Sequence, residues 1–187
     1  MKIEIIIKDK AYVYTPYNAE FVAAIKGIGG ARWNRDKGAW GIPSAAVDQC
    51  REIMKEVYGE TDLPSGEDKK TIQLTFTEEY QELRTPITMF GKTIASAYGR
   101  DSGAKVGSDV AFIYGSPASG GSVKNWTTVV PKDSVVVLYN VPESLLAHEL
   151  PSGVAMDILE ISINKEALEA EREKLLARLA EIERLLS

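Results

Sequence analysis

The residues best suited to chemistry in this chain lie in two glycine-rich segments, YGRDSGAKVG at 98–107 and GSPASGGSVKNW at 115–126. Glycines permit positive φ and close backbone approach, so successive N–H groups can converge on one anion. Arg100, Lys105 and Lys124 supply cations for phosphate oxygens, and Ser102, Ser119 and Ser122 supply short hydroxyl donors. Tyr98 or Trp126 offers a ring on which a base can stack. Together these are the parts of a site for a small phosphorylated nucleotide. The same composition also builds plain hairpin loops, and both readings stay open at this point.

A second candidate is RWNRDKGAW at 32–40. Trp33 and Trp40, with Arg32, Arg35 and Lys37, would form an aromatic and basic platform for single-stranded nucleic acid. The alternative is that both tryptophans cover the core of a small domain while the cations form a solvated rim.

Catalysis is argued down motif by motif. GKT at 91–93 ends like a phosphate-binding loop, but Pro86 stands where its first glycine belongs, and a strand-like IASAY follows. His148 is the only histidine and Cys50 the only cysteine, so a usual zinc site cannot be assembled. GxSxG, HExxH and paired-carboxylate patterns are all missing. The expectation is a non-enzymatic protein with no catalytic or metal residues and no cofactor. A single cysteine forms no internal disulfide, which fits a reducing compartment, and the apolar helix face on which Cys50 falls makes it a core residue.

The elements that must position these residues read as an α+β chain. Residues 1–60 have the order ββαββα: strands at 2–7 and 11–14, a helix capped by Asn18, a hairpin around the turn at 34–38, and a second helix whose apolar face is Val47, Cys50, Met54 and Val57. Residues 61–70 are polar and turn-rich, a linker. Residues 71–163 read as β throughout, with short β-branched runs punctuated by Gly, Pro, Asp and Ser, the pattern of a β-barrel or sandwich-like domain. From Asn164 to Ser187 the residues favour helix. Leu168, Leu175 and Ile182 repeat every seven, with Leu179 and Leu186 between them and Arg172 breaking the seam. This C-terminal, coiled-coil-like helix cannot bury its stripe alone, so a homo-oligomer through 164–187 is expected.

The chain carries a net charge of −5, which argues against a general coat for nucleic acid. Residues 84–142 are nevertheless locally basic, with six Lys and Arg against three Asp and Glu. Both glycine-rich segments lie in that block. No apolar run reaches the length of a membrane span and no signal-peptide h-region follows Lys2, so a soluble cytoplasmic protein without membrane partners is expected.

Two resemblances extend this reading. YVYTPYNAEFVAAIKGIGGARWNRDKGAWGIP, through Arg32, Trp33, Trp40 and Pro43, resembles the HARP-like module, which in annealing helicases is associated with DNA handling. The GRDSGAKVG and GGSVKNW segments look like those of phage- and plasmid-borne proteins that carry GRDSGAKxG and GGSxKN. The second resemblance implies a bacterial host and a mobile-element origin. By analogy it suggests an oligomeric sponge that sequesters a nucleotide immune signal.

Overall fold

The computed structural model describes residues 3–7, 10–64, 66–159, 172–179 and 182. It is a mixed α+β fold dominated by antiparallel strands. The first sheet comprises β1 (Glu4–Ile7), β2 (Ala11–Tyr14), β3 (Arg32–Asn34) and β4 (Ala39–Ile42) in the order β1-β2-β4-β3. Two helices belong to this part, α1 (Ala19–Ile25) and α2 (Val47–Tyr58). Asn18 starts α1 because its side-chain oxygen accepts from the backbone N–H of Glu20 at 2.8 Å and of Phe21 at 3.0 Å, donors that a bare helix end leaves unpaired.

Strand alternation then sorts the faces. Val13, Trp40 and Ile42 turn inward and meet Phe21 and Ile25 of α1 and Val47, Cys50, Met54 and Tyr58 of α2. Cys50 is fully buried, and burial, helped by the nearby negative charge of Asp62, pushes its thiol up to about 11. It is a core side chain, inert as a nucleophile. Arg51, beside it, grips Asp62 through Nε and Nη2, each at 3.0 Å, and fastens the segment after α2 to the helix. α2 itself stops at Gly59, whose φ of 68° is left-handed; a Cβ there would sit 2.6 Å from Pro142, so only glycine lets the helix end abut the second core.

That second core lies among β5 (Lys69–Phe76), β6 (Tyr80–Leu83), β7 (Ile87–Met89), β8 (Lys92–Ser96), β9 (Lys105–Val106), β10 (Val110–Tyr114), β11 (Ala118–Gly121), β12 (Trp126–Val130), β13 (Val135–Pro142) and β14 (Val154–Leu159). They form three sheets, β10-β13-β5-β14, β11-β12-β6 and β7-β8-β9. Ile72, Leu74 and Phe76 of β5 pack with Val136 and Leu138 of β13, Ile87 of β7, Ile94 of β8 and Val130 of β12. Each such fully buried side chain contributes about 1.5–3 kcal/mol relative to an exposed one.

Of the two expected forms, barrel or sandwich-like, the closed barrel is corrected: the three sheets share one core, but none closes on itself. β6, β7 and β9 have only four, three and two residues, too short to bridge the open edges at β10 and β14. Lys69 and Lys70, at the end of the expected linker, already belong to β5. Residues 172–179 and 182 are helical and present Leu175, Leu179 and Ile182 to solvent. The rest of the expected C-terminal helix, including Leu168 and Leu186, and the expected strand residues 160–163 lie outside the described residues. No helix among the described residues is long and apolar enough to cross a membrane.

Candidate functional site

The two glycine-rich segments meet in the structure. Ala118–Gly121, which reads as loop from its lack of β-branched residues, is strand β11, held by its ladder with β12 from Ala118↔Val129 to Gly121↔Trp126. The turn between them is closed by its own side chain: Ser122 N–H donates to the Asn125 carbonyl at 3.0 Å, and Asn125 N–H donates back to Ser122 Oγ at 3.1 Å. Gly121 is required here, since its φ is 78° and a Cβ would fall 2.2 Å from the Asn125 carbonyl oxygen.

The 98–103 loop is organised in the same manner. Ser102 Oγ accepts from Tyr98 N–H at 3.2 Å and lies 2.9 Å from the Gly99 carbonyl and 2.7 Å from that of Gly103. Ser119 Oγ, on β11, then donates to the Arg100 carbonyl at 2.7 Å and joins the two segments, 19 residues apart in the chain. Beneath the junction, fully buried Thr128 on β12 donates to the Thr85 carbonyl at 2.8 Å and accepts from Ala97 N–H at 3.2 Å. Thus Ser102 and Ser122 spend hydrogen bonds on the local backbone and Ser119 on that of the other segment, which builds a shaped ridge in place of a flexible loop.

Around this ridge stand the cations. The Arg100 guanidinium pairs with its neighbour Asp101, Nη2 to Oδ2 at 2.8 Å, and the hydrogen bond holds the Asp101 carboxyl below the usual carboxylate range. Both groups are solvent-exposed, so the pair adds little stability and an incoming anion can compete for the guanidinium. Lys124 lies exposed in the 122–125 turn, and Lys105 lies exposed on β9 opposite Ser96. Arg84 is an addition that the sequence reading missed. Its N–H donates to the Trp126 carbonyl at 3.0 Å, and its Nη2 donates to Asn125 Oδ1 at 2.6 Å, setting a further cation at the end of the hairpin. Only its place in the basic block signalled it. Of the aromatics, Tyr98 is 71% exposed while Trp126 is half-buried.

The Trp33 and Trp40 hairpin has a different build. They are cross-strand partners on β3 and β4, with ring centroids 5.7 Å apart in an edge-to-face arrangement. Trp40, 8% exposed, belongs to the core, whereas Trp33 on the edge strand is 54% exposed. The core reading therefore holds for one ring only. Arg32, Arg35 and Lys37 are exposed. Tyr12 and Arg32 both lie opposite Gly41, on the sheet face turned away from the helices, and Lys37 Nζ sits 4.7 Å from the Tyr12 ring centroid.

Concave space lies elsewhere, where α1 and α2 meet the central strands. A cleft of about 370 Å³ is lined by Glu20, Tyr80, Phe90, His148 and Glu149 among others, with no Lys or Arg in its wall. A second, of about 280 Å³, holds Lys92, but Asp109 already pairs with it at 3.2 Å. Neither wall suits a phosphate. No family model matches the chain, and neither a curated protein nor a solved structure is detectably similar to it.

Proposed function

We propose that this is a non-enzymatic, homo-oligomeric binding protein of mobile-element origin that sequesters a small phosphorylated nucleotide in the bacterial cytoplasm. The observation that carries the reading is the Ser119 to Arg100 junction, which turns two distant glycine-rich segments into one basic ridge. Arg100, Lys105 and Lys124, with Arg84 beside them, contact phosphate. Tyr98, the more exposed ring, stacks on the base, with Trp126 as its neighbour on the hairpin. Ser102, Ser119 and Ser122 act on the ligand through the backbone they shape. A ridge on one copy buries a small ligand poorly, so association through the 164–187 helix would bring a second copy over it.

Native mass spectrometry of protein purified from a host producing nucleotide signals tests this reading. A multimer carrying stoichiometric nucleotide mass is expected, and that mass should vanish in Arg100→Ala/Lys124→Ala while fold and assembly persist. Retained nucleotide in the double variant would discard the ridge as the site.

One observation favours a second reading, single-stranded nucleic acid on the first sheet. Tyr12, Arg32 and Lys37 converge on the face without helices, and exposed Trp33 lies at the sheet edge. Oligo(dT) should then quench tryptophan fluorescence, with affinity falling steeply as salt rises. Absence of both effects at low salt would dismiss it.

A further inference from the structure

The central sheet leaves one long edge that no described strand pairs with. β14 runs six residues in unbroken register with β5, and its other side has no strand partner among the described residues. Folds normally blunt such edges with bulges, prolines, lysines or very short strands. The opposite edge is blunted in this way, because the β10 register with β13 shifts between Phe112 and Tyr114. Edge strands of the other sheets have four residues or fewer. β14 has none of these devices: Asp157 is its only charge, and Ile158 and Leu159 are exposed. Six residues present roughly 20 Å of main chain ready to pair.

The chain itself is a poor occupant. Only Glu160 to Ile163, four residues, separate β14 from the helix-favouring run at Asn164, too few to turn back and cover six. What does follow on the same stretch is the exposed apolar stripe of Leu175, Leu179 and Ile182. A strand edge accepts a strand, a heptad stripe accepts a like helix, and one second copy supplies both under two-fold symmetry.

We propose that two copies pair β14 against β14 antiparallel about a two-fold axis, extending the four-stranded sheet to eight strands, with the C-terminal helices closing over the axis. A register centred on Met156 sets Asp157 against Ala155 of the second copy. Centring it on Asp157 would instead oppose two carboxylates. Strand pairing alone falls short of the roughly 800 Å² per partner that stable interfaces bury, and the leucine stripe supplies the remainder. This inference rests on the helix-mediated association proposed above and adds to it the strand edge and the symmetry.

Light scattering behind size exclusion, on the full chain, should give twice the 20.5 kDa chain mass. Leu175→Lys/Leu179→Lys should yield monomer, and Ile158→Lys should weaken the dimer at least about tenfold, the cost of a charge in the pairing edge. Under oxidation Ala155→Cys/Asp157→Cys should form a covalent dimer that neither single variant forms. A monomeric or trimeric wild type would overturn the proposal. A dimer lost in the helix variant, but indifferent to Ile158→Lys and not cross-linked at 155 and 157, would overturn the strand edge and leave helix association standing.

Discussion

Two basic, aromatic turns of similar composition end in different physical states. In the 98–128 ridge the small polar side chains are consumed by the backbone: Ser102, Ser119, Ser122 and Thr128 each bond a main-chain group, while Tyr98, Lys105 and Lys124 stay exposed and Arg100 pairs only with its exposed neighbour Asp101. In the 32–40 hairpin a single such bond, Lys37 N–H to Asn34 Oδ1 at 2.9 Å, closes the turn, and the large side chains divide the work, Trp40 in the core and Trp33 outside it. The lesson is that glycine and serine richness marks where a chain is being shaped, whereas an aromatic pair marks where a core reaches the surface. In both proposed sites, ligand contact would fall to the residues left over.

Substitutions can break this contrast in order of expected size. Trp40→Ala should cost about 3–5 kcal/mol in chemical denaturation, a core-sized loss, while Trp33→Ala should cost about 0.5–1.5 kcal/mol, the scale of an aromatic pair. Equal losses would mean that the two rings share one environment. Thr128→Val comes next, because it leaves the Ala97 N–H and the Thr85 carbonyl without their buried partner, at about 1–3 kcal/mol for each group that finds no water. A neutral result would show that the ridge does not depend on that bridge.

Acid probes the fastening of α2, on which the hairpin core packs. The Arg51 hydrogen bonds hold the Asp62 carboxyl below its ordinary value of 3.8. A depressed folded-state pKa means that the unfolded chain binds the proton more readily, so the contribution is present above pH 3.8 and fades as pH falls below it. Asp62→Asn should therefore lower the melting temperature near neutral pH and flatten its decline below about pH 4. Parallel curves for variant and wild type would remove the ion pair from the stability of this region. Ser119→Ala should cost about 0.5–1.5 kcal/mol for one hydrogen bond, on the scale of Trp33→Ala. Under the proposed function nucleotide affinity should fall with it, since the junction fixes the Arg100 main chain, and unchanged affinity would separate the shape of the ridge from the proposed binding.

These contrasts also explain what could be read without coordinates. Periodicity made the α1 and α2 cores legible, because Phe21, Ile25, Cys50 and Met54 recur at helical spacing and Asn18 announces a cap. β5 and β13 were equally plain from their β-branched runs. β6, β9 and β11 were not, since YQEL, KV and ASGG carry no alternation of their own and become strands through the ladders that neighbours impose. Barrel and sandwich-like forms stay undivided at the level of sequence, because strand composition says nothing about which edges meet. At the ridge the residue types were legible, but the partners of their hydroxyls depend on contacts such as Ser119 with Arg100, which no local pattern encodes.

β5 occupies the middle of its sheet, yet both its neighbours come late in the chain: Thr75 lies opposite Val135 on one side and Ala155 on the other. During synthesis at about 5–20 residues per second, β5 leaves the ribosome several seconds before either flank exists. The first sheet with α1 and α2 can meanwhile collapse on local contacts, while a strand as apolar as Ile72, Leu74 and Phe76 waits without partners. The central fold is thus assembled from its last-made strands inward, and a nascent chain halted before residue 135 should hold a folded beginning and an open, chaperone-prone middle.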